Sequence, residues 1–295
     1  MVAGFSLVTL ALILFAGVGA GFVGYAVGAS SLVSYPALLA LGIPPVLANA
    51  SNTVGVIGTG IGGIIGAQRE LRGQAARVIV YMTIGALGGV AGALLLLELD
   101  PQVFEFAAPA LILFSSLLIA VNPRGRIAAR QAAKDAAAQL ADMGAAGVNP
   151  ADDAAHSGGP AARFGTSADR PVQPMSRDAW WVWLATGGVA VYSGYFGAGA
   201  GTVALAVLDA AKIGPFHKIN ALKTLIGTGA NITAAVVFIA RGVVDWPAAV
   251  MLCVGCFIGG YVAPPVTRRI PANVMRWAAV IAGIILTIDL ALKTY

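Results

Sequence analysis

Gly21-Phe22-Val23-Gly24-Tyr25-Ala26-Val27-Gly28 recurs as Gly194-Tyr195-Phe196-Gly197-Ala198-Gly199-Ala200-Gly201, and this pair of stretches decides the fold. Glycines clustered at the end of an apolar run mark a place where a helix breaks and another backbone can come close. Further matches follow in the same order. Asn49-Ala50-Ser51-Asn52-Thr53 answers to Asn220-Ala221-Leu222-Lys223-Thr224, Gly88-Gly89 to Gly259-Gly260, and Pro101 to Pro271. Any one glycine pattern is weak, but a series kept in order across half a chain indicates internal duplication.

The medium of that duplication follows from composition. Hydrophobic residues make up 58% of the 295-residue chain and charged residues 11%, where a soluble domain carries about 25% charged residues. Mean hydropathy is +0.84. A water-soluble fold is excluded. Apolar runs occupy 5–25, 32–41, 46–65, 78–97 and 103–121, then 180–195, 202–211, 219–239, 246–266 and 274–292. The second run of each set falls short of the roughly 20 residues that cross a bilayer and reads as a broken, tilted or re-entrant helix. The expected fold is an all-α membrane protein with 8 to 10 transmembrane or half helices in two homologous, inverted repeats. The stretch 2–22 lacks a basic leader and a cleavage site before polar sequence, so it reads as a retained first span.

Residues 1–121 form the first transmembrane repeat and 180–295 the second. Between them, 122–179 holds thirteen of the charged side chains with clusters such as His156-Ser157-Gly158-Gly159-Pro160. That composition predicts a cytoplasmic, polar, partly disordered linker. The net charge of +5 and pI near 9.4 come from basic residues scattered between apolar runs, which suits membrane orientation and not a nucleic-acid surface. Arg69, Arg72 and Arg77 mark one loop as cytoplasmic, Glu98, Asp100 and Glu105 the next as external, and Arg124, Arg126 and Arg130 return to the inside. On the same reckoning Lys212 and Lys218 lie inside, Arg241 and Asp245 outside, and Arg268 and Arg269 inside. Arg69 and Arg241 then face opposite sides, as an inverted repeat of five crossings requires; re-entrant second runs would instead give parallel halves with about eight spans.

The order of features in the first half is a glycine-rich break at 21–31, Tyr35-Pro36, the turn Gly42-Ile43-Pro44-Pro45, and Ala48-Asn49-Ala50-Ser51-Asn52-Thr53. This arrangement resembles the sulfite exporter TauE/SafE family, and the resemblance extends over both halves. It implies export of sulfite or a related sulfur-containing organic anion across the bacterial inner membrane by secondary transport. Departures from the family pattern are Ala29-Ser30-Ser31, where more glycine is common, and Asp209, which the alignment of the halves sets against Pro36.

The residue chemistry gives the candidate site independently. Helix breaks inside a membrane expose backbone N–H groups that, with hydroxyl and amide side chains, replace an oxyanion's water. Asn49, Ser51, Asn52 and Thr53 of one half and Asn220, Lys223 and Thr224 of the other supply such groups, with Gly24, Gly28, Gly197 and Gly201 at the breaks. Lys223 matters most, because a cation in an apolar helix must face a cavity, a partner or an anion; snorkelling to the interface beside Lys218 is the alternative, and helix–helix glue is the alternative for Asn and Thr. Asp209 and His217 are the candidates for proton coupling, Asp209 with a simple pairing to Lys212 as its other reading and His217 with an interfacial turn as its. The tryptophans at 180, 181, 183, 246 and 277 lie near run starts, as interface anchors do. Cys253 and Cys256, one helical turn apart, read as small packing residues, with a zinc or redox site as the alternative.

Enzymes need a nucleophile with a base or a metal cluster, and the runs carry no carboxylate pair or His-rich motif. No nucleotide-binding Gly-x-x-x-x-Gly-Lys-Ser/Thr motif occurs, which removes a nucleotide-driven pump. The reading is a secondary transporter for a small anion working by alternating access, with an anion channel or a transporter of another small organic acid as the alternative. No cofactor, metal or nucleic acid is expected; lipid, coupling H+ or Na+ and a homo-oligomeric arrangement are compatible partners.

Overall fold

A computed structural model describes residues 5–66, 71, 74–121, 129–130, 133, 136–138, 179–214, 216–267, 277, 280–281, 284–285, 287–288 and 292. Every regular element among them is helical. In the first half these are α1 (Leu7–Val27), α2 (Ser31–Ala40), α3 (Pro45–Gly66), α4 (Ala75–Glu98) and α5 (Pro101–Val121). The second half supplies α6 (Trp180–Tyr195), α7 (Ala200–Ala210), α8 (Phe216–Ala240) and α9 (Trp246–Thr267). Helical residues recur between 277 and 292. Arg69, Arg72, Arg268, Arg269 and nearly all of the 122–179 linker lie outside the described residues.

Among the described residues, four helices contain segments long and apolar enough to cross a membrane: Leu7–Tyr25, Ala75–Glu98, Ile219–Ala240 and Trp246–Ala263. Their outer faces carry Phe15, Leu87, Val236 and other large apolar side chains fully open to the surroundings. In water such a surface would be an aggregation hazard; against acyl chains it is the expected solvent-facing side. Trp180 and Trp246 open α6 and α9 with exposed rings, in the manner of interfacial anchors.

The breaks are local consequences of sequence. Ser6 caps α1 by accepting the Thr9 N–H at 3.0 Å, and Gly28, at φ 86°, ends the helix by donating to the Gly24 carbonyl. That left-handed conformation is one which a side chain makes costly. α2 follows after three residues and is only 10 residues long, about 15 Å. Both short helices end in the same turn: Ile43 N–H bonds Leu38 O across Gly42, and Ile213 N–H bonds Leu208 O across Lys212, the one described non-glycine residue with positive φ. This match corrects the alignment of the halves. Gly42 answers to Lys212, so Asp209 answers to Leu39 and not to Pro36.

Small residues let the helices meet backbone to backbone, and the register of those contacts gives helix directions. A Cβ on Gly17 or Gly21 would strike Leu252, Gly255 and Cys256, and one on Gly259 would strike Val18 and Phe22, so α1 and α9 run parallel. Gly58 meets Cys253 and Phe257, and Gly62 meets Phe257 and Tyr261, so α3 runs parallel to α9 as well. In the same way α4 runs parallel to α6 (Gly88 with Ala190, Gly92 with Tyr195) and to α8 (Gly85 with Ile226, Gly89 with Ala230). The two three-helix packs join where α3 crosses α8, Gly60 against Thr228 and Gly63 against Thr224, and there the register runs antiparallel. Since α1 and α3 share a direction, α2 and its turn carry the chain back between them.

The two packs are related by exchanging halves. The most extensive contacts are α1 with α9, α4 with α8, α3 with α9 and α4 with α6, and each becomes another of these when first-half and second-half helices are swapped. The correspondence holds at single atoms. Gly58 lies against Cys253 O and Phe257 N, while Gly229 lies against Met82 O and Ala86 N; one constant shift in sequence relates all three pairs. Gly89 against Ala230 likewise matches Gly260 against Thr59. Gly88-Gly89 and Gly259-Gly260 thus stand at like places in the two packs.

Candidate functional site

The two helix breaks face one another. A Cβ on Gly201 would lie 3.0 Å from the Gly28 carbonyl oxygen, so the end of α1 and the start of α7 meet at the junction of the packs. Beside this junction is a cavity of about 110 Å³. Its walls are Gly24, Gly28, Ser30 and Ser31 at the first break, Gly197, Ala200 and Gly201 at the second, Val56 to Gly63 of α3, and Asn220 to Asn231 of α8. These come from the C-terminal half of α3 and the N-terminal two-thirds of α8. The cavity consequently lies toward the end of the molecule where α4 begins.

Two half-helices start at this cavity. Ser30 and Ser31 open α2, and Ala200 and Gly201 open α7. Leu32 and Val33 N–H bond the Ala29 and Ser30 carbonyls, and Ala200 and Thr202 N–H bond those of Gly197 and Gly199, while each N-terminus carries about half a positive charge. Lys223 lines the same cavity. Its side chain is only 7% exposed, and its ammonium Nζ is 3.3 Å from where a Cβ on Gly28 would be. Glycine at 28 thus does two things: it adopts the left-handed conformation that ends α1, and it leaves room for the lysine head. Burying a lysine at membrane depth costs about 2.5 to 3.5 kcal/mol, and two half-positive N-termini nearby raise that cost.

Of the residues named from sequence, Gly24, Gly28, Gly197, Gly201, Asn220, Lys223 and Thr224 come together in this cavity. Asn49, Ser51, Asn52 and Thr53 do not line it. They are fully buried at the other end of α3 and are engaged in holding the fold. Asn49 Nδ2 donates to the Tyr195 carbonyl at 2.8 Å. Ser51 Oγ accepts the Asp245 N–H at 2.8 Å. Asn52 Nδ2 donates to Ser31 Oγ at 3.0 Å while its Oδ1 accepts from Ser34 Oγ. Thr53 Oγ1 donates to the Asn49 carbonyl at 2.9 Å, and Thr224 Oγ1 donates to the Asn220 carbonyl at the same distance.

Asp209 sits in the last turn of α7, whereas the cavity takes the first turn of that helix. The side chain of His217 lies outside the described residues. Arg77, expected with the loop, is instead buried in the first turns of α4. Sequence reasoning passed over Ser30, Ser31, Thr59, Ser193, Thr228 and Asn231, all in the cavity wall. A signal for two of them was available: Asn220, Lys223, Thr224, Gly227, Thr228 and Asn231 recur at helical spacing on one face of α8.

Cys256 is buried and Cys253 half-buried among the backbone contacts that join α9 to α1 and α3. Their small side chains sit beside the close approach of Gly21 and Gly58, as packing residues would.

The other end of the molecule bears the ion pair of Arg241 with Glu98, 2.8 Å between Nη2 and Oε1. It joins the loop after α8 to the last turn of α4, about 30 Å along α4 from Arg77. No curated protein and no solved structure gives a significant match to the chain. A set of apolar helices with glycine-rich breaks around a cavity that a lysine lines is nevertheless matched by a family model over residues 13–290, described as Sulfite exporter TauE/SafE, and the chain belongs to that family of membrane transporters.

Proposed function

We propose that the protein is a secondary transporter that exports a small sulfur-containing anion, sulfite or an organosulfonate, across the bacterial inner membrane by alternating access. The observation that carries this reading is that Lys223 lines one cavity together with the first residues of α2 and α7, its ammonium against Gly28. Asn220, Thr224, Ser30 and Ser31 add hydrogen-bonding groups to the same wall. A site built from one cation, helix N-termini and neutral donors suits a small oxyanion.

The halves are inverted with respect to the membrane in this reading. Its support is the register of the glycine contacts, in which α1, α3 and α9 run one way and α6, α8 and α4 the other. Equivalent helices of the two halves then point in opposite directions, as inverted-repeat transporters require. The Glu98–Arg241 pair accords with the external side inferred for both residues from charge placement. H+ or Na+ is the coupling ion.

The experiment is an anion screen on purified protein by thermal stabilisation, followed by flux of the best ligand into proteoliposomes. Sulfite, sulfate, thiosulfate, taurine and simple carboxylates form the panel. Sulfite or a sulfonate should raise the melting temperature in a saturable way and be carried; stabilisation by carboxylates alone, or by none of the panel, overturns the substrate assignment. Flux that rises linearly with concentration, without saturation, would point to a channel.

A further inference from the structure

The equivalence of the halves is obeyed by the packing and broken at the cavity. Asn220, Lys223 and Thr224 stand at the same positions of α8 as Asn49, Asn52 and Thr53 of α3. The first set lines open space, or stands at its edge, near the end of the molecule where α8 begins. The second set occupies the corresponding place at the opposite end, and there the space is filled. Asn52 is held on both sides by Ser31 and Ser34, Asn49 is fastened to the Tyr195 carbonyl, and Thr53 is 3% exposed. In the buried cluster that also holds Ala48 and Ala50, Tyr35 and Phe196 meet edge to face at 5.4 Å, with Phe104 against Phe196 and Tyr195 at 5.9 and 5.7 Å.

We infer that this cluster is a closed gate: the protein has a second conformation, in which the Asn49–Asn52–Thr53 end opens to the face bearing Arg241 while the Lys223 end closes. The inference rests on the transport reading above and deepens it, by assigning the residues that open and close the far route. Its physical basis is that two halves of like sequence and like packing can each adopt the other's conformation, because the backbone contacts at Gly58 and Gly229, or Gly89 and Gly260, are the same on both sides. The exchange preserves those seams and swaps only which end is open.

Ser31 couples the gate to the cavity. Its Oγ accepts from Asn52 Nδ2 and also lines the cavity wall. A hydroxyl has one proton to donate besides its acceptor sites, so Ser31 can hold Asn52 and donate to an anion at the same time. Loss of the Asn52 bond reorients the hydroxyl at the substrate.

The test reads accessibility and needs no substrate. In protein carrying Cys253→Ala and Cys256→Ala, a single reporter cysteine is placed by Thr53→Cys or by Thr224→Cys, and a membrane-impermeant maleimide is applied from either side of oriented vesicles. With the gate intact, Thr224→Cys should react from the face nearest Arg77 and Thr53→Cys from neither. Adding Asn52→Ala should speed labelling of Thr53→Cys at least tenfold, from the Arg241 face only, and slow labelling of Thr224→Cys in return. Ser34→Ala, which removes one bond of the same network, should move both rates in the same directions to a lesser degree and serves where Asn52→Ala does not fold. Faster labelling at Thr53→Cys without slowing at Thr224→Cys would mean mere local loosening and overturns the gate; so would labelling from the wrong face or no change in either variant. A protein that binds sulfite yet lacks this reciprocity keeps its transport function and loses the gate, whereas one that shows reciprocity without binding any anion keeps the gate and loses the substrate.

Discussion

Replacing Lys223 by methionine removes one full charge from the cavity at little change in volume. Lys223 lines the cavity, and an anion in charge-assisted hydrogen-bond contact with its ammonium would have its charge roughly 3 to 4 Å away. At 4 Å and an effective dielectric constant near 20, one charge pair is worth about 4 kcal/mol. The helix N-termini and hydroxyl donors remain, and water replaces part of what is lost, so Lys223→Met should weaken sulfite binding by about 3 to 4 kcal/mol, a factor of about 100 to 1000. Isothermal titration at low ionic strength, on detergent-purified parent, Lys223→Met and Lys223→Arg proteins, measures this directly. Lys223→Arg retains the charge in a bulkier head and should fall between the other two. The reasoning is refuted if Lys223→Met binds sulfite within about threefold of the parent while melting cooperatively, because the lysine would then be serving the fold or the interface and not the anion.

Other changes separate binding from packing. Gly28→Ala forces a side chain into a left-handed conformation, at about 1 to 2 kcal/mol, and sets a methyl 3.3 Å from Lys223 Nζ; flux should fall more than melting temperature, and unchanged flux would show that the lysine head is not confined there. Gly58→Ala and Gly229→Ala each drive a Cβ into a helix backbone, Gly229 at 2.7 Å from Met82 O and Gly58 against Cys253 O, so both should destabilise by about 1 to 3 kcal/mol; a silent member of the pair, by thermal melting, would contradict the equivalence of the seams. Ser51→Ala leaves the Asp245 N–H without its acceptor and should cost about 1 to 3 kcal/mol of stability with no change in sulfite affinity. Arg241→Ala breaks an ion pair whose partners are both more than half exposed, so its effect on melting should be below about 1 kcal/mol.

Much of the fold was legible because membranes make sequence simple. Lipid requires long apolar helices with internally satisfied backbones, so the runs at 78–97, 219–239 and 246–266 fall within α4, α8 and α9 almost as read. The glycine pairs were legible for a second reason: without a hydrophobic drive between helices, close packing selects small residues at fixed positions, and Gly88-Gly89 and Gly259-Gly260 mark the seams. Fine alignment was harder. Matching on glycine alone set Asp209 against Pro36, whereas the hydrogen-bonded turns at Gly42 and Lys212 set it against Leu39. A left-handed residue identifies a turn better than residue type does, and lysine at that position is not foreseen from propensity.

The site was half legible, and the missing half has a physical cause. Sequence comparison found that Asn49, Asn52 and Thr53 answer to Asn220, Lys223 and Thr224, which is a statement about equivalent positions. Equivalent positions in a duplicated chain do not have equivalent surroundings at one instant, because a single open cavity must lie at one end or the other. The asymmetry of the residues biases which end that is. Asn52 can satisfy its donor and its acceptor within the protein, through Ser31 and Ser34, and so closes stably without water. Lys223 brings a full positive charge to the cavity beside the starts of α2 and α7, so an anion bound there favours closing of its end. Empty protein should therefore rest with the lysine end open, and substrate should lower the cost of closing it, which is the differential affinity that any ligand-driven exchange of conformations needs.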